Sequence, residues 1–163
     1  MFRTHAVSSS FLSSAAIAAA VLLAASSLAT AQAGPGVRAG VSGDPDQFFV
    51  GAHYDTGPLV DMLSFRPNAE VGFSNDLTTV AVNLEFAYRI PVRRNPWSFY
   101  AGGGPALNVY HFSFDDPSFN HTDLQPGFNL LFGVEHRRGL FAEFKLGLID
   151  SPEVKFTVGY TFR

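Results

Sequence analysis

The stretch Glu153-Val154-Lys155-Phe156-Thr157-Val158-Gly159-Tyr160-Thr161-Phe162 alternates without a break. Val154, Phe156, Val158, Tyr160 and Phe162 share one parity; Glu153, Lys155, Thr157, Gly159 and Thr161 share the other. Successive side chains of a β-strand point to opposite faces, so this stretch predicts a strand with one apolar and one polar side. One segment earlier, Leu140, Ala142, Phe144, Leu146 and Leu148 oppose Glu143, Lys145 and Gly147, with Phe141 out of pattern. Further back, Val80, Val82, Leu84, Phe86, Tyr88 and Ile90 oppose Thr79, Ala81, Asn83, Glu85, Ala87 and Arg89.

The same period of two continues through the rest of the chain. Val37, Ala39 and Val41 oppose Arg38, Gly40 and Ser42; Phe48, Val50, Ala52 and Tyr54 oppose Gly51, His53 and Asp55. Leu63, Phe65, Ala69, Val71 and Phe73 oppose Ser64, Arg66, Asn68, Glu70 and Gly72. Trp97, Phe99, Leu107 and Val109 oppose Ser98, Gly102, Gly104 and Asn108; Phe128, Leu130, Phe132 and Val134 oppose Gly127, Asn129, Gly133 and Glu135. That makes eight strands. Short breaks rich in Gly, Pro, Asn and Asp separate them, such as Gly43-Asp44-Pro45-Asp46, Thr56-Gly57-Pro58, Ser74-Asn75-Asp76 and Asp150-Ser151-Pro152. Only the connection over 113–125 is long. Eight short-linked strands predict an all-β fold, an antiparallel up-and-down barrel closed so that no edge stays unpaired. Pro67 and Pro105 fall inside two of the strands, where a missing ladder donor predicts a bulge or a break.

Residues 1–33 read differently. Arg3 and His5 precede an Ala/Leu/Val/Ile run diluted with Ser, and Ala31-Gln32-Ala33 supplies the small residues of a cleavage site. This is the layout of a secretory signal peptide, so the mature domain is expected over 34–163. The whole chain carries a formal net charge of −3, and only two lysines, Lys145 and Lys155. No basic patch suits nucleic acid. There is no cysteine, so neither disulfides nor thiol chemistry is available.

Which face points inward is decided by the polar one. It holds Gly40, Gly51, Gly72, Gly102, Gly104, Gly127, Gly133, Gly147 and Gly159 among Ala, Ser, Thr and Asn. Glycine weakens a solvated strand, but small residues fit the crowded interior of an eight-stranded barrel. The bulky face of Phe, Leu, Val and Tyr then faces lipid, which makes the barrel transmembrane. The interior would hold a network of Arg66, Glu70, Glu85, Arg89, Glu135, Glu143, Lys145 and Lys155, since confined charges must pair or keep water. Arg38 and Glu153, near strand ends, are as well placed for solvent as for that network. An even strand number puts both termini in the periplasm, together with the turns at Arg93-Arg94-Asn95-Pro96 and Arg137-Arg138-Gly139.

The final Val158-Gly159-Tyr160-Thr161-Phe162 resembles the C-terminal signature of outer-membrane barrels, with Gly159, Tyr160 and Phe162 as its elements. Tyr100-Ala101-Gly102-Gly103-Gly104 and 139–145 are similar to segments of the opacity/OmpA-like outer-membrane family. The family usually ends on the aromatic itself, whereas this chain ends on Arg163. The resemblance implies an outer-membrane location, contact with outer-membrane lipid and the barrel-assembly machinery, and a role in envelope integrity, adhesion or surface contact, with 113–125 as the segment offered to a surface partner. It implies no cofactor.

Chemistry is sparse. His111-Phe112-Ser113 resembles the His-x-Ser element of lipid A deacylase barrels, whose Ser-His-Glu site would draw on Glu135 here. Phe114-Asp115-Asp116 departs from that family after the Ser, and no catalysis is expected. Asp115, Asp116, His121 and Asp123 read as a solvated acidic loop in preference to a metal site, because no ligand spacing supports one. The alternatives to a structural or surface-contact barrel are a soluble exported barrel holding an apolar ligand and, third, a lipid A-modifying enzyme. A lumen plugged by side chains argues against a general porin.

Overall fold

Nine strands build the computed structural model, which describes residues 33–74, 77–112, 121–149 and 152–163. They are β1 (Gly34–Gly43), β2 (Gln47–Asp55), β3 (Pro58–Val60), β4 (Leu63–Phe73), β5 (Leu77–Pro91), β6 (Trp97–Phe112), β7 (His121–His136), β8 (Leu140–Ile149) and β9 (Val154–Thr161). Every pairing is antiparallel, and β1 pairs with both β2 and β9. That last ladder, with Val37 opposite Tyr160 and Val41 opposite Phe156, closes the sheet into a barrel. β2 pairs directly with β4, so eight strands form the wall. The short β3 was not predicted. It adds to β4 at Pro58 and Val60, beyond the end of β2.

The chain is thus a closed eight-stranded antiparallel barrel, and no helix occurs among the described residues. The alternation sets the faces. Glu85 is fully buried and Phe156, on the opposite parity, is 49% exposed. Ser64, Arg66, Asn68 and Glu70 line the interior, while Val80, Val82, Leu84 and Phe86 stand outside. The buried set is mainly polar and the exposed set mainly apolar.

Two expectations need correcting, and the bulge or break expected at the prolines resolves into a break. The long connection is shorter than 113–125, because β6 and β7 pair as far as Phe112 opposite His121. Residues 121–125 are therefore strand; 113–120 lie outside the described residues, as do 1–32, 75–76 and 150–151. The signal peptide, Asn75, Asp76, Asp115, Asp116 and Asp150 fall there too. Glu153 is exposed and precedes β9, so it takes no part in the interior. Of the bulge or break expected at each proline, the structure shows a local break in one ladder and no bulge. Pro105 pairs with Phe128 of β7, and the β5–β6 register is the same on either side of it. Only the bridges at Leu84 and Glu85 are missing, as the absence of one amide donor requires. Pro67 also lies beside Leu84, across the other ladder. Its ring interrupts the β2–β4 ladder after His53 opposite Asn68, and Thr56 N resumes it by donating to Phe65 O at 3.1 Å.

Among the described residues, the one bulge in the wall strands falls elsewhere. Asn129 faces Gly147 and Phe128 faces Ile149, which leaves Leu148 as the extra residue on β8. The alternation of β8 ends there, and Leu148 and Ile149 are both exposed.

Candidate functional site: the charged interior and the vestibule

The interior is filled first by rings. Phe49, His53, Tyr100 and Phe141 point inward and are 2 to 3% exposed. Each lies opposite a glycine in register: Phe49 with Gly40, His53 with Gly36, Tyr100 with Gly133, and Phe141 with Gly159. A Cβ on Gly36, Gly40, Gly133 or Gly159 would stand 2.2 to 2.7 Å from the ring of its partner. The glycines therefore leave room for rings on the adjoining strand, the device by which an aromatic covers a strand glycine. Phe141, out of pattern in the sequence, belongs to this set. Its ring also meets His53 edge-on at 5.1 Å.

The rings in turn hold cations. The Arg66 guanidinium lies 4.5 Å from the Tyr100 ring centroid, Arg38 lies 5.5 Å from that of Phe141, and Lys155 lies 5.1 Å from that of Phe49. Attraction between a cation and a ring face strengthens when both are desolvated, as here.

The charges fall into two groups. In the middle of the barrel Glu70 is a hub. Its Oε1 is 3.0 Å from Arg38 Nη1 and 3.4 Å from Lys145 Nζ, and its Oε2 is 2.9 Å from Lys155 Nζ. Lys145 Nζ is also 2.7 Å from Glu85 Oε1 and 3.7 Å from Glu143 Oε1. Glu143 adds Arg38 at 3.5 Å and accepts from Tyr100 Oη at 3.0 Å. Three carboxylates thus face three cations, and the group is neutral. An amide chain extends it: Asn68 Nδ2 donates to Glu85 at 2.7 Å, Asn83 to Asn68 at 2.7 Å, and Asn129 to Asn83 at 2.9 Å. Arg38, expected near a strand end, lies midway along β1 and is 3% exposed, so it belongs to this group and not to solvent.

The second group sits at the end where β1 begins and β9 finishes, the termini end of the described barrel. Asp55 Oδ2 is 2.9 Å from Arg66 Nη2, 3.2 Å from Arg89 Nη2 and 3.2 Å from Arg163 Nη2. Glu135 meets Arg89 at 3.3 Å and also pairs with Arg66 and Arg163. Two carboxylates here face three guanidinium groups. Above this floor opens a vestibule of about 860 Å³, lined in part by Asp61, Arg94 and Arg137.

The eight charges named from sequence all lie inside, but they divide between the two groups. Asp55 was missing from that set, although its parity placed it inward. So were Arg38, in the middle of β1, Arg163, beyond the end of β9, and Tyr100 and the Asn chain, which are uncharged. At the C-terminal segment, Tyr160 and Phe162 face outward, 40% and 53% exposed, with ring centroids 5.3 Å apart. His111 Nδ1 is 3.0 Å from Thr122 Oγ1, and Asp123 accepts from Gln125 Nε2 at 2.7 Å. Ser113 lies outside the described residues, and Glu135 sits in the floor group, among arginines.

No protein-family model and no curated protein matches the chain. Among solved structures it is similar to Neisserial surface protein A (NspA), with a TM-score of 0.56 and 16% identity, covering 80% of this chain and 94% of that one. It is also similar to the N-terminal β-barrel domain of Pseudomonas aeruginosa OprF, with a TM-score of 0.54 and 13% identity, covering 78% and 95%. These likenesses establish the barrel architecture.

Proposed function

We propose that this chain is an outer-membrane barrel with a non-enzymatic role in envelope structure or surface contact. One observation carries the reading: the wall is polar and paired inside, and apolar outside. Phe48, Phe73, Phe86, Phe99, Phe128, Phe132, Phe144 and Phe156 are all between 37% and 56% exposed. A soluble monomer rarely exposes so continuous an apolar surface, and a closed barrel in lipid must. Trp97, Tyr88 and Tyr160 sit on the outer face toward the termini end, where an interfacial aromatic girdle belongs. NspA is named a surface protein, which agrees with this location.

The interior weighs against a soluble barrel with an apolar ligand. Arginine, lysine, glutamate and asparagine fill the space that such a ligand needs. The reading also places outer-membrane lipid around the wall, the assembly machinery at Gly159, Tyr160 and Phe162 during insertion, and the surface contact at the β6–β7 end. Both termini and the Arg94 and Arg137 turns then face the periplasm.

The test is fractionation of cells producing the protein with a single cysteine, at Thr122 or at Arg94. Outer-membrane recovery is expected, with heat-modifiable migration in gels. An impermeant maleimide should label Thr122→Cys in intact cells and Arg94→Cys only after permeabilisation. Recovery in a detergent-free periplasmic extract would refute the membrane reading; the reverse labelling would refute the orientation.

A further inference from the structure

We propose that the vestibule at the termini end is a binding site for a small anion bearing phosphate or carboxylate groups. The site stands on geometry and charge, and it goes beyond the membrane reading without depending on it. The charge balance of the barrel is the starting point. The middle group is neutral, so it leaves no attraction for an ion. The floor group is not: Asp55 and Glu135 face Arg66, Arg89 and Arg163. The cavity opens on that surplus.

Its walls add to the imbalance. Arg89, Arg94, Arg137 and Arg163 line it against Asp61 and Glu135. Arg94 and Arg137 come from the β5–β6 and β7–β8 turns and are exposed. They form no ion pair among the described residues. The two turns are locked side by side, because Arg137 N donates to Pro96 O at 2.9 Å and the Trp97 and His136 rings meet at 4.9 Å. The two turns thus bring Arg94 and Arg137 to the lining of one cavity, whose floor is already cationic. Guanidinium groups keep their charge at any physiological pH and match the forked oxygens of carboxylate and phosphate. About 860 Å³ is within the range of small-molecule sites. Asp61 is the opposing charge. It sits at φ +49°, so asparagine suits its backbone equally well.

The anion could be a soluble metabolite-sized species or the headgroup of an anionic lipid at the barrel rim, and one experiment separates them. The probe is pyrophosphate, titrated calorimetrically at constant ionic strength into the protein folded in zwitterionic detergent. Saturable binding is expected. Arg94→Gln with Arg137→Gln should weaken it by roughly a hundredfold, since each of the two lost charged hydrogen bonds is worth about tenfold. Asp61→Asn should tighten it about two- to fivefold, one like charge being removed. This second variant gains binding, so it stands apart from any loss through misfolding. The titration is then repeated in nanodiscs. Weaker pyrophosphate binding in phosphatidylglycerol than in phosphatidylcholine assigns the site to a lipid headgroup; equal binding assigns it to a soluble anion. Absence of saturable binding in the parent protein overturns the proposal, as does unchanged affinity in both variants. Neither result bears on whether the barrel sits in a membrane.

Discussion

The ring of Phe141 covers Gly159 across the β8–β9 ladder, and a Cβ on Gly159 would stand 2.4 Å from its Cζ. Leucine at 159 would suit lipid, but this position faces the ring. Gly159→Leu or Gly159→Ala is therefore expected to destabilise the barrel by about 1–3 kcal/mol through overpacking. In a Phe141→Ala background the loss should shrink. It should not vanish, because the Val37 carbonyl oxygen lies 2.6 Å from the same point. Urea midpoints of the four proteins folded into vesicles give the coupling energy. Strict additivity would show that the ring and the glycine are independent.

Glu70 touches three cations, and none of them has another carboxylate as close except Lys145. Glu70→Ala leaves Lys155 and Arg38 buried beside one another with less compensation. The expected destabilisation is about 3–5 kcal/mol, the usual consequence of removing one side of a buried ion pair. Glu85→Ala and Glu143→Ala should each lose about 3 kcal/mol, because Lys145 retains Glu70 in both. Denaturant titration ranks the three; a Glu70 variant no weaker than the others would demote it from hub to bystander.

Phe144 and Phe156 are direct partners on the outer face, 42% and 49% exposed. Arginine at either position places a charge against acyl chains near mid-wall. Folding into vesicles should lose roughly 2–4 kcal/mol, and less for the same change at Phe162, beyond the strand end. In detergent-free buffer a soluble barrel would respond with a gain in solubility and little change in midpoint, which is the result that would count against lipid contact.

The neutral middle group, the asparagine chain and the buried rings all project into an interior that, in an eight-stranded barrel, side chains are enough to fill. Proteoliposomes containing the barrel should therefore swell no faster in an isotonic pentose than empty liposomes do. Rapid swelling would mean that the interior opens in a way that the paired carboxylates do not suggest.

The wall was legible from sequence because alternation is a one-strand property. Eight runs of period two suffice to place Phe156 outside and Glu85 inside. The interior was only half legible, because its contents are decided between strands. Phe141 reads as an error in its own strand and makes sense only beside Gly159. Phe49 and Tyr100 sit on the small-residue face for the same reason. Asp55 ends its strand, and nothing local distinguishes it from a solvated turn residue; three arginines from other elements do. Of the bulge or break expected at the prolines, the break is what forms: Pro105 interrupts the bridges to β5 and Pro67 those to β2, each on one side of its strand and without shifting register. The real bulge, at Leu148, is marked only by Gly147, and glycines are too common on the inward parity for that one to stand out.

The pairing of rings with glycines has a consequence for how such a chain can drift over evolutionary time. Outward positions need only stay oily, since lipid moulds itself to whatever shape they present, so Val, Leu and Phe can exchange there one at a time. Inward positions are matched across neighbouring strands, so a ring can leave only if its glycine fills in, and the two changes must arrive nearly together. Divergence then runs fast on one parity and in paired steps on the other. Architecture outlasts sequence resemblance under that regime. In a scan of every single substitution, Val158→Leu should pass unnoticed where Gly159→Leu does not.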